Sequence, residues 1–208
     1  MVILYGKAAD RIAIHRVEEK KKWFVRKIRE GAEILMDIQN KHLIRQEILR
    51  EISHAKKSII IEHAYFTDSM IIRRLRRLSK SGVKVIVIMP NRSDGVWHAN
   101  MQSVQKLLSP DLSTGSTNEN IEVYLYQGMI HAKVIVIDDT TAILGSANLT
   151  YGSFDLLHET NALFRGSESV VKSLISQIQK DMNYCTRVTL NTLPDYNRWI
   201  AWFQRIFI

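Results

Sequence analysis

Residues 58–89 read SIIIEHAYFTDSMIIRRLRRLSKSGVKVIVIM, and this stretch predicts the fold. The β-branched run Ser58–Ala64 predicts a strand, and Lys84–Met89 predicts a second strand that ends at Pro90. Between them, Ser69–Ser81 has the spacing of an amphipathic helix. Such a βαβ unit has parallel strands and a right-handed crossover. Because uniformly apolar strands lie centrally in a covered sheet, we expect an α/β fold with a mixed, largely parallel β-sheet and helices on both faces.

Downstream segments continue the alternation of helices and strands. Val96–Leu108 and Ser167–Asn183 predict helices, and Ile121–Tyr126 and Thr160–Phe164 predict strands. The polar stretch Ser109–Asn120 predicts a loop.

The N-terminal region has a helical pattern from Val17 to about Ala55. Gly31 and the polar stretch Gln39–His42 divide this pattern into two predicted helices. The first carries basic side chains around two aromatic ones: Lys20, Lys21, Lys22, Arg26, Lys27, Arg29, Trp23 and Phe24. Such a helix either lies on an anionic membrane or packs on the core with a solvated basic face. Met1–Ile14 would form a strand or an ordered arm.

Three regions are predicted along the chain. Residues 1–44 form an N-terminal extension with the basic amphipathic helix, residues 45–186 the main α/β domain, and residues 187–208 an aromatic amphipathic tail. The tail is rich in large apolar side chains: Trp199, Ile200, Trp202, Phe203, Ile206, Phe207 and Ile208. It is either a helix docked on the domain or an exposed surface for a lipid or protein partner.

The amino-acid composition limits the kinds of binding partner and the cellular compartment that we expect. The net charge of +8 favours polyanionic partners, either nucleic acid or acidic lipid headgroups. A run of about 18 apolar residues, as a membrane span needs, is absent from the sequence. The single cysteine, Cys185, excludes an internal disulfide framework and fits a reducing compartment. We expect a cytoplasmic protein that is either free or peripheral at a membrane.

The chemistry is concentrated in His131–Thr150, HAKVIVIDDTTAILGSANLT. His131 and Lys133 are two residues apart at the head of an apolar strand, so their side chains share one face. A lysine beside the histidine disfavours a metal ligand set, since the bound cation would repel the ammonium, whereas a phosphate would attract both groups. Ser146 and Asn148 follow Gly145 in a turn and can donate to the same phosphate oxygens. This pattern predicts a phosphate site at which the imidazole attacks phosphorus.

At these residues the chain resembles the phospholipase D superfamily, whose signature is HxKxxxxD followed by GSxN. His131, Lys133, Asp138, Gly145, Ser146 and Asn148 match it. The resemblance to the second catalytic half of bacterial cardiolipin synthases extends over about Arg45–Met182, through the segments YFTD, SGVKVIVIMP, NRSD and NIEVYLYQGMIHAK. It implies the phospholipase D-like αβα sandwich.

The resemblance also implies roles for individual residues. His131 would be the nucleophile or, in a paired motif, the general acid. Lys133, Ser146 and Asn148 would bind phosphate, and Asp138 would contribute to catalysis mainly by structural or electrostatic effects. Glu159 occupies the position of a glutamate that orients a catalytic histidine. The implied activity is that of a phosphodiesterase or phosphatidyltransferase acting on phospholipids through a covalent phosphohistidine, with no cofactor and no metal.

One departure from the family leaves alternatives open. The family site uses two such motifs, and this chain has one. Among the other six histidines only His54 is followed two residues later by lysine, and Ile61 stands there where the motif requires aspartate. The chain therefore either forms a homodimer that pairs two copies of His131 or is one half of a larger enzyme. The alternatives in function are a metal-independent, homodimeric endonuclease and an inert half-site that binds phosphate-containing ligands. Trp97 and His98 are further residues that could line the pocket.

Overall fold

The computed structural model describes residues 26–28, 31–37, 42–92, 95–110, 115 and 119–207. Within these ranges the strands are β1 (Arg26–Ile28), β2 (Ala32–Asp37), β3 (Ser58–His63), β4 (Lys84–Pro90), β5 (Ile121–Tyr126), β6 (Lys133–Ile137), β7 (Thr141–Gly145), β8 (Glu159–Arg165) and β9 (Cys185–Val188). The α-helices are α1 (Leu43–Ser53), α2 (Ser69–Lys80), α3 (Trp97–Leu108), α4 (Glu168–Met182) and α5 (Arg198–Phe207). A π-helical turn spans Gly152–Leu156.

The described strands form one mixed sheet in the order β1-β2-β8-β7-β6-β3-β4-β5-β9. The βαβ unit is confirmed, since β3 pairs parallel with β4, and β4 pairs parallel with β5. The other pairings are antiparallel, so the expectation of a largely parallel sheet is wrong. Part of the difference arises between β6 and β7, where the short connection of residues 138–140 can join only antiparallel neighbours.

Helices cover both faces of the sheet, as predicted. One face packs against α1, α2 and α3, and the shared core there includes Ile48, Leu75 and Val104 from the helices. Alternate strand residues such as Ile61 and Ile135 complete this core. The opposite face is covered by α4, whose Val171 and Ile178 form a second, smaller cluster with strand residues. The mixed α/β sandwich is therefore confirmed, with one face more thickly covered than the other.

The N-terminal prediction of a first helix is wrong for the residues that the structure describes. Strands β1 and β2 form a hairpin, and β2 pairs antiparallel with β8 along its whole length. Gly31 turns this hairpin at φ +75°, and a Cβ there would lie 2.4 Å from the carbonyl oxygen of Arg165. Part of the predicted extension, residues 1–44, therefore belongs to the catalytic sheet. The Met1–Ile14 segment and the basic side chains around Trp23 lie outside the described residues.

The second predicted helix is confirmed as α1. Asp37, the last residue of β2, accepts hydrogen bonds from the backbone amides of Leu43 (2.6 Å) and Ile44 (3.2 Å). These contacts satisfy amide groups that have no partner within the helix, and they fix the start of α1 beside the sheet. In the described part of the chain, no helix is both long enough and apolar enough to cross a membrane.

Candidate active site

Apart from Asp138, the predicted site residues lie where four strands end at one edge of the sheet. Lys133 begins β6, Gly145 ends β7 and Glu159 begins β8, while His63 ends β3 beside Lys133. Each of these residues has the same parity as the core residues of its strand, so the side chains of His63, Lys133 and Glu159 project toward the face that carries α1, α2 and α3. Sequence positions up to 96 residues apart are brought together in this way, because antiparallel β6–β7–β8 packs against β3.

His131 and Lys133 are in direct contact. The ammonium of Lys133 donates to Nε2 of His131 at 3.2 Å, and the lysine side chain is buried, with 8% exposed. His131 itself is exposed. The Lys133 charge and partial burial lower the pKa of His131. The imidazole is therefore neutral near pH 7 and presents a basic Nε2 at an accessible position.

Two opposing effects act on the pKa of the Lys133 ammonium. Burial lowers the pKa of Lys133, and the nearby carboxylate of Glu159 opposes that shift. A partly desolvated ammonium attracts an incoming phosphate more strongly than a solvated one does, because little water screens it. Phosphate binding by Lys133 stays a prediction.

Ser146 and Glu159 form a pair behind the histidine and lysine. The Ser146 hydroxyl donates to the Glu159 carboxylate and accepts from the Thr160 amide at 3.0 Å. Among the described contacts, Glu159 therefore has Ser146 as its hydrogen-bond partner, and no hydrogen bond to His131 is present. The role of Glu159 in orienting a catalytic histidine stays a prediction, as does phosphate binding by Ser146.

Gly145 is required by the close approach of β8 to the turn. A Cβ at this position would lie 2.2 Å from Oδ1 of Asn161 and 2.4 Å from the carbonyl oxygen of Thr160. The buried Asn161 amide in turn accepts from the backbone amide of Ala147 at 3.2 Å. Asn161 therefore shapes the turn that carries Ser146 and Asn148. The sequence analysis missed it, although an asparagine within the apolar run TNALF was a detectable signal.

Asn148 is a predicted phosphate ligand whose backbone is fixed but whose side-chain oxygen has no partner among the described residues. Its backbone amide donates to the hydroxyl of Ser153 at 3.1 Å, which fixes the backbone. Its side-chain Oδ1 is buried and has no hydrogen-bond partner among the described residues. A buried amide group without a partner is rare in proteins, and it is placed here beside the predicted phosphate site.

His63 is a second residue that the sequence analysis passed over. It lies directly across from Lys133 in the β3–β6 register, and only 2% of it is exposed. Burial and the Lys133 charge lower the pKa of His63 to about 3, so its imidazole is neutral. Its Nδ1 is buried without a hydrogen-bond partner in the described part of the chain. The sequence analysis missed His63 because His63 is not followed two residues later by lysine. A motif read along the chain does not detect residues that are neighbours across two strands.

Asp138 is separated from the other motif residues. It follows the far end of β6, at about 20 Å from His131 along an extended strand. Its carboxylate accepts from the backbone amides of Lys56 (2.8 Å), Lys57 (2.8 Å) and Ser58 (2.9 Å). Burial raises the pKa of Asp138, but these amides outweigh it and leave the pKa below its usual value. Asp138 therefore ties the start of β3 to the β6–β7 turn, and its expected role in catalysis stays a prediction.

Trp97 and His98 are engaged in packing and not in the group around His131. The Trp97 indole donates to the carbonyl oxygen of Asn91 at 2.8 Å, and Nδ1 of His98 accepts from the Asn197 amide at 3.1 Å. Their rings meet edge to face at 5.0 Å. No group of three or more His, Cys, Asp or Glu residues among those described is arranged to hold a metal ion.

A family model described as "Cardiolipin synthase, PLD-like domain" matches residues 48–185. The chain belongs to this family. Among curated relatives of the PLD-like domain, the cardiolipin synthase of Clostridium perfringens strain SM101 is 34% identical over 151 residues, which are 72% of this chain and 30% of the relative. The major cardiolipin synthase ClsA of Bacillus subtilis is 34% identical over 161 residues, 76% of this chain and 31% of the relative. The chain thus spans about a third of the length of these relatives.

Solved structures share the fold of the PLD-like domain. NUC from Salmonella typhimurium, a phospholipase D family member, superimposes with a TM-score of 0.66 at 21% identity, covering 76% of this chain and 99% of that one. Phosphatidylserine synthase from Haemophilus influenzae superimposes with a TM-score of 0.69 at 14% identity, covering 85% of this chain and 45% of the solved one. The predicted resemblance to the phospholipase D superfamily is confirmed.

Proposed function

We propose that this PLD-like domain is an enzyme that transfers or hydrolyses phosphatidyl groups of phospholipids through a covalent phosphohistidine at His131. The observation that carries the proposal is the contact between the accessible Nε2 of His131 and the desolvated ammonium of Lys133. Similarity to cardiolipin synthases over most of the chain supports a phospholipid as the substrate.

The reaction would occur in two displacements. In the first, the lone pair of His131 Nε2 attacks phosphorus, a P–N bond forms, and the bond from phosphorus to the leaving alcohol oxygen breaks. The departing oxygen takes a proton from a general acid. In the second, water or an alcohol attacks the phosphohistidine, gives its proton to that same group, and regenerates the free imidazole. Lys133 would stabilise the negative charge on the phosphate oxygens in both steps.

The general acid requires a second motif. The described part of the chain places no second histidine–lysine contact of this type beside His131, and the nearby His63 is buried and stays neutral to about pH 3. We infer that the acid is His131 of a second identical subunit, in a two-fold homodimer whose sites face each other. The length of the cardiolipin synthases, about three times the matched region, also supports the alternative in which a different half supplies it.

A second candidate function is cleavage of nucleic acid. The net charge of +8 favours a phosphate backbone as much as an acidic lipid, and the same chemistry would cut either diester. An inert half-site remains the third alternative, because a lone motif binds phosphate without a general acid to complete turnover.

The decisive experiment compares the wild type with His131→Ala on phosphatidylglycerol vesicles and on single-stranded DNA, in excess EDTA. We expect the wild type to release or exchange the headgroup of the lipid, and His131→Ala to lose this activity by at least about 10³-fold. Alkaline quenching of the reaction should trap a phosphatidyl adduct on His131 that mass spectrometry locates. His54→Ala, which removes the exposed histidine that follows the last residue of α1, is the matched control and should behave as the wild type.

Undiminished turnover by His131→Ala would overturn the mechanism. Cleavage of DNA without any turnover of lipid would replace the first function by the second. Light scattering during size-exclusion chromatography tests the paired site, because an active, strictly monomeric protein would contradict the homodimer.

A further inference from the structure

The outer face of α5 carries aromatic side chains that no other described element covers. Trp199 is 78% exposed and Trp202 is 54% exposed, and Ile200 and Ile206 are also exposed. The Trp202 ring meets Phe203 edge to face at 5.0 Å. Trp residues rarely lie so open on a soluble surface, and here they are grouped on one helix. The sequence analysis left open whether this tail is docked or exposed, and α5 is both.

The helix is held firmly, so the exposure of its tryptophans does not result from a detached segment. Ala201 is fully buried against α3. Gln204 accepts from the backbone amide of Ala99 at 2.9 Å, and the Arg205 guanidinium donates to Gln102 at 3.0 Å. The inner face therefore fixes the orientation of the outer face.

A group of cations lies beside α5, and we call Arg73, Arg76, Lys106 and Arg205 the basic cluster. Burial lowers the pKa of Lys106, and the charges of Arg205 and Arg73 lower it further, which shows that these groups lie close together. None of the four forms a salt bridge with an acidic residue that the structure describes. Asp68 is near Arg205, but its carboxylate is already bound by Arg45 at 2.6 Å.

The aromatic face and the basic cluster lie at the same edge of the domain as the site. Arg205 donates to the carbonyl oxygen of Thr67, and the amide of Thr67 donates to the carbonyl oxygen of Leu149 at 2.8 Å. Leu149 directly follows Asn148. Two hydrogen bonds thus connect α5 to the turn that carries the predicted phosphate ligands, so a surface bound by α5 would lie next to the site.

We propose that the outer face of α5 and the basic cluster form a binding surface for an anionic phospholipid membrane, which holds the site edge against the bilayer. This inference rests on the proposed function in so far as the membrane also contains the substrate. Indole rings prefer the boundary between headgroups and acyl chains, and basic side chains beside them attract acidic headgroups.

The charges favour a membrane over a second copy as the occupant of this surface. In a two-fold dimer formed through α5, each basic cluster would lie near its own symmetry mate, and like charges with no acidic partners oppose such an interface. An anionic bilayer supplies the missing negative charge to Arg73 and Lys106, the exposed cations of the cluster, and an apolar layer to both tryptophans. Both halves of the surface are then satisfied by a single partner.

The test measures sedimentation with vesicles of equal parts phosphatidylglycerol and phosphatidylcholine. The wild type should bind them, and Trp199→Ser with Trp202→Ser should weaken binding on the order of tenfold or more. Arg73→Gln should weaken it about fivefold, and raising the salt from about 0.1 M to about 0.5 M should weaken the wild type further. Vesicles of phosphatidylcholine alone should bind far less of the wild type.

Matched controls remove similar groups from other places. Tyr184→Ser removes an aromatic residue that is 58% exposed near β9, and Lys180→Gln removes an exposed cation from α4 on the other face of the sheet. Both variants should bind vesicles as the wild type does. Hydrolysis of a water-soluble phosphodiester should be unchanged in the Trp199/Trp202 variant, since neither residue belongs to the site.

The two proposals can fail separately. Vesicle binding by a protein that turns over no diester would overturn the proposed function and leave the membrane surface supported. Turnover of the soluble diester by a protein that binds no anionic vesicles would overturn the membrane surface alone. Equal binding of the wild type and the Trp199/Trp202 variant would also overturn it, as would a change in oligomeric state of that variant without loss of vesicle binding, which would identify α5 as a protein interface.

Discussion

The two ends of strand β6 carry residues of the same motif, but the polar side chains at the two ends differ in how fully they are hydrogen-bonded. At the first end, His131 is exposed, and Lys133 is buried with a lowered pKa. The hydrogen bond that joins their side chains is weak and leaves both groups available to another partner. At the other end, the Asp138 carboxylate is fully occupied by three backbone amides. The groups that we propose to bind substrate are left available, whereas a group that supports the framework is satisfied within the chain.

The contrast shows why one motif contains residues of unequal function. The four residues between Lys133 and Asp138 are the remainder of the five-residue strand β6, so the spacing measures the strand and not a contact between side chains. Substitutions at the first end should therefore change turnover, and substitutions at the second should change stability.

After His131→Ala, the largest expected effect is that of Lys133→Met. Removing a phosphate-binding cation from a poorly solvated site should lower kcat/KM by about 10²- to 10³-fold or more. Stability should not fall, because the variant no longer buries an ammonium. Kinetics on a soluble diester and urea unfolding measure the two quantities, and Lys172→Met, at an exposed site on α4, is the control. A destabilised variant with normal kinetics would reverse the assignment of this end of β6.

Glu62→Gln tests the opposite face of the sheet at the same end. Glu62 pairs with Val134 across β3 and β6, and burial, reinforced by Asp181, raises its pKa to about 7. The folded protein therefore keeps a proton that the unfolded chain releases above its ordinary pKa of 4.5, so this residue's contribution to stability is present at low pH and is lost as the pH rises toward and through 7.

The Gln variant removes that loss. At pH 8 it should exceed the wild type in free energy of unfolding by up to about 3 kcal/mol, and at pH 5 the difference should be much smaller. Urea unfolding at both pH values measures this, with Glu119→Gln at an exposed position as the control. Equal pH dependence of the wild type and Glu62→Gln would show that the carboxyl group is ionised in the folded state.

Asp138→Ala should have a moderate effect confined to stability. Loss of a carboxylate that accepts from three amides at a partly exposed position should cost about 2 kcal/mol. Asp138→Asn should cost less, because asparagine keeps one acceptor oxygen and tolerates the φ of +50° found there. Turnover per folded molecule should stay close to that of the wild type. A large loss of kcat in a stable Asp138→Asn protein would place this carboxylate in the catalytic group after all.

The sequence predicted the parts of the molecule in which local pattern and long-range structure agree. The strands β3 and β4 and the helix α2 between them follow directly from their apolar spacing, and the motif identified His131 and Lys133. Residues of β2 also recur at helical spacings, yet they form a strand because β8, more than 120 residues away, offers a partner along the full length of β2. The spacing of apolar residues within β2 does not reveal which distant strand will pair with it.

The site shows the same limit at the level of side chains. The motif lists residues along one strand, and it therefore missed His63 across the sheet from Lys133 and Asn161 opposite Gly145. It also could not show that the Ser146 hydroxyl is already bound to Glu159. Contacts across strands depend on register, which is determined by the whole sheet.

The smallest expected effect separates two of the predicted phosphate ligands at the first end of β6. Because the Ser146 hydroxyl donates to Glu159 and accepts from the Thr160 amide, Ser146→Ala removes a support of the turn more than a contact to substrate. We expect about a tenfold loss in kcat/KM, well below that of Lys133→Met, with Ser173→Ala on α4 as the control. A loss as large as that of Lys133→Met would mean that the hydroxyl turns from Glu159 to the phosphate during the reaction. The Ser146 hydroxyl, which is satisfied within the chain before the substrate binds, would then become a group that binds the substrate.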